Sequence, residues 1–557
     1  MVCTLGNHAM STYASLLSSP PPVATPISGR EKDMVVNNAG AYTFSLSSRE
    51  RLLRFLILGA DGATYYATKQ EHFKQAYANT EKAVRELSTA AVELVVDVSV
   101  GGRAPKQDAA IFALALCAAK GDEKTRAAAI AALPKVCRIP THLFSFLTDY
   151  KALGGKTGGR ALKRALQRWY LDKTPSDLAY ALVKYRQRGG WTNADVLRLC
   201  KPVGGATPHG DLFAWAVGKP VILDNRLHMK IIAAYEAAKD ENLSDRGLAA
   251  FVTDYNLPRE AVPDTRLASD KGAEVWRALL RAGGGMPMTA LIRNLNRMTA
   301  AGVFTNTSDA EFVVSRLVNE NLLRAARVHP IALLSALRTY GQGHGERGGL
   351  SWTPDLLITD ALERAFLLSF GTVETTGKRF YVGLDVSGSM AGSEIAGVPG
   401  LTPREASAAL ALLWAKTEPS CTVKGFTSAG GGYWNSRGTG LTDLTDDFKA
   451  GTLTSVQKRV SGMDFGATEP ALIIEDAIKN RIPVDVFVVV TDNEVNLGQH
   501  PAVALKTYRE VMGINAKLVV VGMTATEFTL ADPNDPHMLD MVGFDTAAPS
   551  AIAAFAG

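Results

Sequence analysis

Two kinds of hydrophobic pattern divide the chain. From about residue 45 to 370, apolar residues recur at three- and four-residue spacing in segments such as RERLLRFLILG, KQDAAIFALALCAAKG, GRALKRALQRWYLD and PIALLSALRTYGQG. This spacing places them on one face of a helix, and Gly or Pro often stands at the segment ends. Short amphipathic helices need partners for stability, so the pattern predicts stacked antiparallel helix pairs of the solenoid type, although no strict sequence period is present.

Beyond residue 375 the pattern changes to short β-branched runs. The runs RFYVGLD, CTVKGFT, VDVFVVVTD and AKLVVVGM are separated by helical segments such as PREASAALALLWAK and EPALIIEDAIKN. Strands that alternate with helices predict a parallel sheet covered on both faces.

Residues 1 to about 40 contain a stretch rich in Pro and Ser, SSPPPVATPISG, whose composition is typical of a mobile segment. We therefore predict a flexible tail at residues 1–41, an all-helical repeat domain at 42–372 and an α/β domain at 373–557.

Charge differs between these parts. From Gly371 onward there are 14 Lys and Arg against 21 Asp and Glu, whereas the preceding residues hold 46 basic and 34 acidic side chains. A basic helical part favours a polyanionic partner.

The five cysteines are scattered without a CxxC pair, which indicates neither a disulfide framework nor a zinc site and favours the reducing cytoplasm. No apolar run approaches the roughly 20 residues needed to span a bilayer, so we expect no membrane partner.

Oxygen-bearing side chains follow the predicted strands at three places. The stretch YVGLDVSGSM puts Asp385, Ser387 and Ser389 at alternate positions after a strand, Thr468 lies in the loop DFGATEP, and Asp492 follows VFVVVT. Ligands of open α/β sheets bind at the carboxyl ends of the strands, and an all-oxygen set suits Mg²⁺. Because three of these ligands are uncharged, the metal would still accept an outside carboxylate or phosphate oxygen. The alternative is a polar turn with two helix caps.

Catalytic motifs are absent from the sequence. LGGKTGG at residues 153–159 resembles the end of a phosphate-binding loop, but Tyr150 stands where the first Gly is needed, and the preceding text is helical. No HExxH, no GxSxG with a credible triad and no GxGxxG after a strand occurs. We therefore expect no enzymatic activity and no catalytic residues.

Three basic segments of the helical part are candidates for phosphate contact. We predict Lys184 and Arg188 in LVKYRQRGGW on one face of a helix, four residues apart. Nearby, KVCRIPTHLFSF supplies Arg138 and His142, and GRALKRALQRWY supplies Arg164 among other cations. Clustered positive charge is what phosphate recognition requires, but solvated helix faces have the same appearance.

Several long segments resemble one known family. RFLILGADGATYY, CRIPTHLF, GRALKRALQRWY, KYRQRGGW, MPMTALIRNLNRMTA, VHPIALLSALRTYGQGHG and TGKRFYVGLDVSGSM are similar to the Ro 60 kDa autoantigen family, in the order of its RNA-binding TROVE module and its von Willebrand factor A domain. The DxSxS stretch, Thr468 and Asp492 likewise resemble the metal-ion-dependent adhesion site of such A domains. The resemblance implies a ring of HEAT-like helical repeats followed by a Rossmann-like α/β domain.

The resemblance also implies a function. It implies that Y RNAs bind the outer basic surface of the ring, where Lys184 and Arg188 match the family's RNA-contacting helix, and that 3′ ends of misfolded noncoding RNAs enter the central hole. Cys200 in LRLCKP replaces a frequent histidine, and Gly388 replaces the alanine usual in animal relatives. Bacterial relatives look like adaptors that use a Y RNA to join an exoribonuclease such as polynucleotide phosphorylase.

We therefore expect a non-enzymatic RNA chaperone or scaffold in RNA quality control. The alternatives are a metal-dependent adhesion scaffold that binds an acidic protein ligand without RNA, and a nuclease centred on the metal.

Overall fold

The computed structural model describes residues 22–59, 69–203, 205, 207–268, 272–345, 349–371, 375–392, 394–395, 398, 400–428, 440–463 and 466–557. The chain forms two compact units. We call residues 1–76 with 373–557 the α/β unit, and residues 77–372 the helical unit. Among the described residues, no helix combines the length and the apolar character that crossing a membrane requires.

The N-terminal segment belongs to the α/β unit. It contains β1 (Met34–Val36), β2 (Tyr42–Ser45) and α1 (Ser48–Leu58), and β2 pairs antiparallel with β1 and with a strand at Phe528–Thr529. The side-chain amide of Asn37 donates to the carbonyl of Val495 at 2.9 Å. Predicting a flexible tail as far as residue 41 was therefore wrong for residues 22–41, because their partners lie more than 450 residues further along the chain. Residues 1–21 lie outside the described residues.

A buried ion pair holds α1 in the α/β unit. Arg54 is 1% exposed, and its guanidinium donates to Asp540 at 2.6 Å, to the Thr526 hydroxyl at 2.8 Å and to the Phe528 carbonyl at 3.0 Å. Burial raises the pKa of Asp540, and Arg54 opposes that rise. The described residues between 42 and 76, predicted as part of the helical domain, thus belong to the α/β unit instead.

The helical unit is a succession of helices, most of them of 8–14 residues, and its first helix begins before the boundary at residue 77. They are α2 (Lys69–Leu87), α3 (Thr89–Gly101), α4 (Asp108–Lys120), α5 (Glu123–Val136), α6 (Pro140–Ala152), α7 (Arg160–Leu171), α8 (Pro175–Lys184), α9 (Asn193–Cys200), α10 (Pro208–Ala216), α11 (Leu227–Ala237), α12 (Asp245–Tyr255), α13 (Asp264–Leu267), α14 (Gly272–Arg281), α15 (Met288–Ala300), α16 (Thr307–Leu317), α17 (Glu320–Ala325), α18 (Pro330–Gly341) and α19 (Leu356–Leu368). Helices pack mainly on those one to three positions further along, such as α3 on α5, α4 on α6 and α12 on α14. Such local packing is typical of stacked helical repeats and confirms the predicted architecture.

The two ends of this helix series contact each other. The Arg327 guanidinium donates to the carbonyl of Val100 at 2.8 Å, and the His329 ring is hydrogen-bonded to the carbonyl of Arg103 at 3.2 Å. The loop before α18 therefore lies against the end of α3. These contacts join an early and a late part of the helix series, and the ring that the family resemblance implies stays a prediction.

A short β-hairpin with two residues in each strand interrupts the series of helices. β3 (Gln187–Arg188) pairs antiparallel with β4 (Trp191–Thr192), and the turn between them is Gly189–Gly190 with φ of +57° and +80°. Consecutive positive φ values are the hairpin-turn conformation that Gly adopts without strain. Helix α8 ends at Lys184, so Lys184 and Arg188 do not share a helical face as predicted.

The α/β unit is built on a six-stranded sheet. Its elements after the helical unit are β5 (Arg379–Asp385), α20 (Pro403–Thr417), β6 (Ser420–Phe426), β7 (Leu441–Asp443), α21 (Thr445–Ala450), α22 (Leu453–Ser461), α23 (Leu472–Lys479), β8 (Val486–Thr491), α24 (Pro501–Met512), β9 (Lys517–Gly522), β10 (Phe528–Thr529), β11 (Met538–Val542) and α25 (Ala548–Ala556). The strand order is β11-β9-β8-β5-β6-β7, parallel except for β7. All six residues of β8 are buried, as the uninterrupted apolar run predicted.

Strand order reverses between β5 and β8. The chain leaves β5 toward β6 on one side and later returns to place β8 on the other side. A ligand-binding crevice forms at such a reversal, outside the carboxyl ends of the two strands. Gly383 within β5 lets helix α23 approach the sheet, since an added Cβ would lie 2.9 Å from Ile473.

Candidate metal site and RNA interface

Four of the five predicted metal ligands lie at this reversal. Asp385 ends β5, Ser387 and Ser389 follow it, and Asp492 comes directly after β8. The hydroxyls of Ser387 and Ser389 are 3.1 Å apart, and the Ser389 side chain opposes the rise in the pKa of Asp492 that burial causes. The structure thus brings these four side chains together.

The fifth predicted ligand, Thr468, lies on a loop bound to the segment after β8. Its backbone N–H donates to the Asn496 side chain at 2.9 Å, and its carbonyl accepts from the N–H of Leu497 at 3.2 Å. Thr468 is buried, and these bonds fix its backbone next to the residues that follow Asp492.

Both carboxylates are buried and hydrogen-bonded. Asp385 accepts from the Thr491 hydroxyl at 2.6 Å and from the Ser387 N–H at 2.9 Å, and Asp492 accepts from the Glu494 N–H at 2.9 Å. Burial raises the pKa of each carboxyl, and repulsion from Asp492 raises the pKa of Asp385 further. Two buried carboxylates in one crevice are the groups that a divalent cation stabilises most.

The residues present fit Mg²⁺. Two carboxylates and several hydroxyls form an all-oxygen donor set, which Mg²⁺ and similar hard cations prefer. Among the described residues, no group of three or more His, Cys, Asp or Glu is placed so that it could hold a metal ion, and the donor set proposed here depends on hydroxyls as well as carboxylates. When bound, the cation would supply Lewis acidity toward an incoming oxygen ligand.

Several supporting residues at this site were not predicted. The Arg404 guanidinium donates to the carbonyls of Val386 and Ser387, at 2.5 and 2.9 Å, and so holds the loop after β5. Thr491 and Asn496 position Asp385 and Thr468, respectively. The run of polar residues in TDNEVN, which begins at the last residue of β8, was the available signal for two of them, Thr491 and Asn496.

The predicted RNA contacts fall into two groups. Arg164 is exposed on α7, together with Arg160 and Arg168 at four-residue spacing, while Leu162, Leu166 and Trp169 face the core. The remaining candidates lie around the β3–β4 hairpin and the start of α6. The structure therefore does not gather all five candidates into one patch by their contacts.

Around the hairpin the charges are partly compensated. Arg188 is exposed and lies 3.4 Å from the Asp108 carboxylate, and both line a cavity of about 320 Å³ with Asp149. Burial raises the pKa of Asp149 to about 6, and repulsion from Asp108 adds to the rise. Neither Asp108 nor Asp149 was predicted to lie beside Arg188, since both are distant from it in sequence.

Three candidates are partly withdrawn from solvent. Arg138 donates to Ser99 at 3.0 Å and to the Lys135 carbonyl at 2.9 Å, and burial lowers its pKa. Burial, with Arg138 and Arg188 nearby, lowers the pKa of His142 to about 4. Lys184 lies 5.5 Å from the ring centre of Tyr180 and 5.4 Å from that of Tyr185.

Cys200 is buried at the end of α9, and burial raises its thiol pKa to about 11. Its side chain therefore does not reach an outside ligand in this conformation. Cys117, Cys137 and Cys421 are likewise buried with free thiols.

Comparisons with known proteins match both units. The TROVE domain family matches residues 35–244 and 256–339, and the Ro60 vWA domain family matches residues 379–556. The protein named RNA-binding protein RO60 of Deinococcus radiodurans is 40% identical over 530 residues, covering 94% of this chain and 96% of the relative. The protein of the same name from Caenorhabditis elegans is 33% identical over 603 residues, covering 94% of this chain and 90% of the relative.

A solved structure agrees with these matches. The crystal structure of the Deinococcus radiodurans Ro (RSR) protein is similar with a TM-score of 0.66 and 39% sequence identity, and covers 92% of this chain and 99% of that protein. Sequence, domain order and fold lead to the same assignment: the chain belongs to the Ro60 family, with a TROVE domain and a Ro60 vWA domain.

Proposed function

We propose that this protein binds structured RNA through its helical unit and acts as an RNA chaperone or scaffold. Two relatives that cover more than nine tenths of the chain are named RNA-binding proteins, which supports RNA as the partner. The RNA class that the family resemblance implies is Y RNA, with 3′ ends of misfolded noncoding RNAs as a second class.

The exposed arginines of α7 carry this proposal. Arg160, Arg164 and Arg168 recur every four residues, about 6 Å along a helix, and so form one basic stripe. Among the described residues none of the three forms an ion pair, whereas Arg226 pairs with Asp211 and Asp224. Uncompensated arginines release counterions from RNA when they contact phosphates, which makes binding salt-dependent.

A salt series tests the proposal. We expect Arg164→Ala/Arg168→Ala to weaken binding of a hairpin RNA and to reduce the slope of log K against log salt by about 1 for each phosphate that is no longer neutralised. The control Arg226→Ala removes an arginine whose charge is already paired, so its slope should equal that of the wild type. Salt-independent binding of the wild type would contradict the proposal and favour the adhesion scaffold.

We also propose that the α/β unit binds Mg²⁺ through Asp385, Ser387, Ser389, Thr468 and Asp492. The bound ion would present an acceptor site for an acidic protein ligand. An exoribonuclease such as polynucleotide phosphorylase is our proposed partner in RNA decay. The buried pair of carboxylates at the strand-order reversal supports the metal site.

Thermal unfolding measures metal binding without any activity assay. Because Mg²⁺ binds the folded state, it should raise the melting temperature of the wild type. At a Mg²⁺ concentration of 100 times Kd, the free energy of unfolding should increase by about 2.7 kcal/mol. Asp385→Asn should abolish this rise, and Asp446→Asn, which changes an exposed carboxylate of α21, should keep it. An equal rise in Asp385→Asn would exclude Asp385 as a ligand.

We propose no enzymatic activity. Incubation of labelled RNA with the wild type and Mg²⁺ should leave the RNA intact, whereas cleavage that disappears in Asp385→Ala would establish a nuclease. We also propose a cytoplasmic location, which the buried free thiols of the four described cysteines support, because such thiols are typical of a reducing compartment.

A further inference from the structure

A large cavity in the helical unit lies beside the β3–β4 hairpin. It has a volume of about 800 Å³ and is bordered by the end of α8, the hairpin, α10 and α11. This volume is within the range of about 300–1,000 Å³ that is typical of pockets for small organic groups. None of the predicted RNA contacts lines it.

Two aromatic rings line this cavity. Trp215 is half-buried, and its ring centre lies 6.0 Å from that of the buried Tyr235, with the ring planes at 86°. The indole N–H of Trp215 donates to Glu236 at 3.1 Å, which fixes the orientation of the ring. A fixed, partly exposed indole provides a flat face on which another ring can stack.

Cations surround the aromatic pair. Arg186 and Lys219 are exposed at the cavity, and Lys239 lies 4.2 Å from the ring centre of Tyr235. Among the described lining residues Glu236 is the one carboxylate, and it is already bonded to Lys239 at 2.6 Å and to Trp215. The cavity wall therefore carries a net positive charge beside an aromatic surface.

The hairpin separates this cavity from Arg188. Side chains alternate along a strand, so Gln187 and Thr192, which oppose each other, face one side, and Arg188 faces the other. Gln187 and Thr192 line the large cavity, and Arg188 lines the smaller one with Asp108. A strand of RNA contacting the hairpin thus meets net positive charge and aromatic rings on the side of the large cavity, whereas on the other side the charge of Arg188 is paired with Asp108.

We propose that this cavity is a subsite for an unpaired nucleotide of bound RNA. The base would stack on Trp215, and the adjoining backbone phosphates would contact Arg186 and Lys219. An unpaired nucleotide combines the two features that the wall matches, a planar ring and an anionic phosphate. Recognition of unpaired bases by aromatic stacking is a common way in which proteins bind single-stranded RNA. The proposal rests on the RNA-binding function and adds a preference for RNA with unpaired bases.

Two RNAs separate this subsite from general RNA binding: a stem with a short unpaired bulge and the same stem fully paired. We expect the wild type to prefer the bulged RNA and Trp215→Leu to weaken that complex about tenfold, because one base no longer stacks. Affinity for the paired stem should not change. Trp215→Phe keeps a ring and should retain most of the affinity for the bulged RNA.

Tyr255→Leu is the matched control, since Tyr255 is a half-buried aromatic residue of the same unit that packs on another ring, Phe251, and does not line the cavity. Should Trp215→Leu fail to fold, Lys219→Ala replaces it, because Lys219 is exposed and its removal should weaken binding of the bulged RNA alone. If Trp215→Leu weakens binding of both RNAs equally, or of neither, the proposed subsite is wrong, although RNA binding itself still holds. If the wild type binds neither RNA, the proposed function itself fails.

Discussion

Asp149 shows how a single partly buried carboxyl can influence the proposed RNA interface. It is half-buried in the cavity beside Arg188, and burial with Asp108 nearby raises its pKa to about 6. At neutral pH Asp149 is therefore mostly ionised and repels an approaching phosphate. His142, whose pKa is lowered to about 4, stays neutral at pH 7 and adds no positive charge.

We expect Asp149 to make both stability and RNA affinity depend on pH. Its pKa in the folded state is raised above the ordinary value of 3.8 for an aspartate, so the folded state binds the proton more tightly and stability falls as pH rises from about 4 to about 6. Asp149→Asn should unfold at a higher temperature than the wild type at pH 7, with the difference shrinking toward pH 4. It should also flatten any gain in RNA affinity on acidification from pH 7 to 5.

The exposed Asp254 provides the control, since Asp254→Asn should change neither the melting temperature nor its pH dependence. If the melting temperatures of Asp149→Asn and the wild type depend on pH in the same way, the Asp149 carboxyl is not the group that makes stability depend on pH.

At the scale of elements, the β3–β4 hairpin decides where Arg188 lies. The spacing of Lys184 and Arg188 fits a helix, but a Gly-Gly pair between short polar and aromatic residues is also a hairpin signal. Helix α8 already ends at Lys184, where Tyr185 leaves the helical conformation, and the positive φ of the two glycines turns the chain back from β3 into β4. Arg188 consequently lies beside Asp108 instead of on the face of Lys184.

Replacing a glycine of this turn tests the role of the hairpin. Gly190 has a φ of +80° and no atom within 4 Å of an added Cβ, so Gly190→Ala should cost only backbone strain, roughly 1–2 kcal/mol. Thermal or chemical unfolding measures this destabilisation. Gly158→Ala, an exposed loop position with equal space and no positive φ, should be neutral. Equal stabilities of the two variants would show that the turn tolerates a side chain.

Helix α7 is an element that the sequence predicted well. Leu162, Leu166, Trp169 and Tyr170 are buried, and Arg160, Arg164 and Arg168 are exposed, as the three- and four-residue spacing indicated. The pattern depends only on the helical period, which is local. The same holds for β8, whose uninterrupted apolar run predicted a strand that is buried on both faces.

At the scale of the whole molecule, the N-terminal segment belongs to a unit that the chain completes only after residue 373. Arg54 and Asp540 are 486 residues apart in sequence and form a buried ion pair within this unit. Breaking a buried pair leaves an uncompensated charge, which is more costly than removing the pair as a whole.

We therefore expect Arg54→Met to destabilise the α/β unit by about 3–5 kcal/mol, because Asp540 stays buried without its partner. The double variant Arg54→Met/Asp540→Leu should recover part of that stability, as followed by denaturant unfolding. Arg49→Ala, which changes an exposed arginine of the same helix, is the control and should be near neutral. A single variant as stable as the control would show that the pair contributes little.

The amino-acid sequence by itself determined the two fold classes, the positions of most helices and strands, and the oxygen-bearing side chains at the ends of β5 and β8. These follow from hydrophobic periodicity and from residue types at strand ends, which are properties of short segments. Only the tertiary structure decided that residues 22–58 pack on strands near residue 530, that Asp108 pairs with Arg188, and that Trp215 and Arg186 line one cavity. Each of these depends on contacts between segments far apart in sequence, and burial and charge compensation exist only after the chain has brought those segments together.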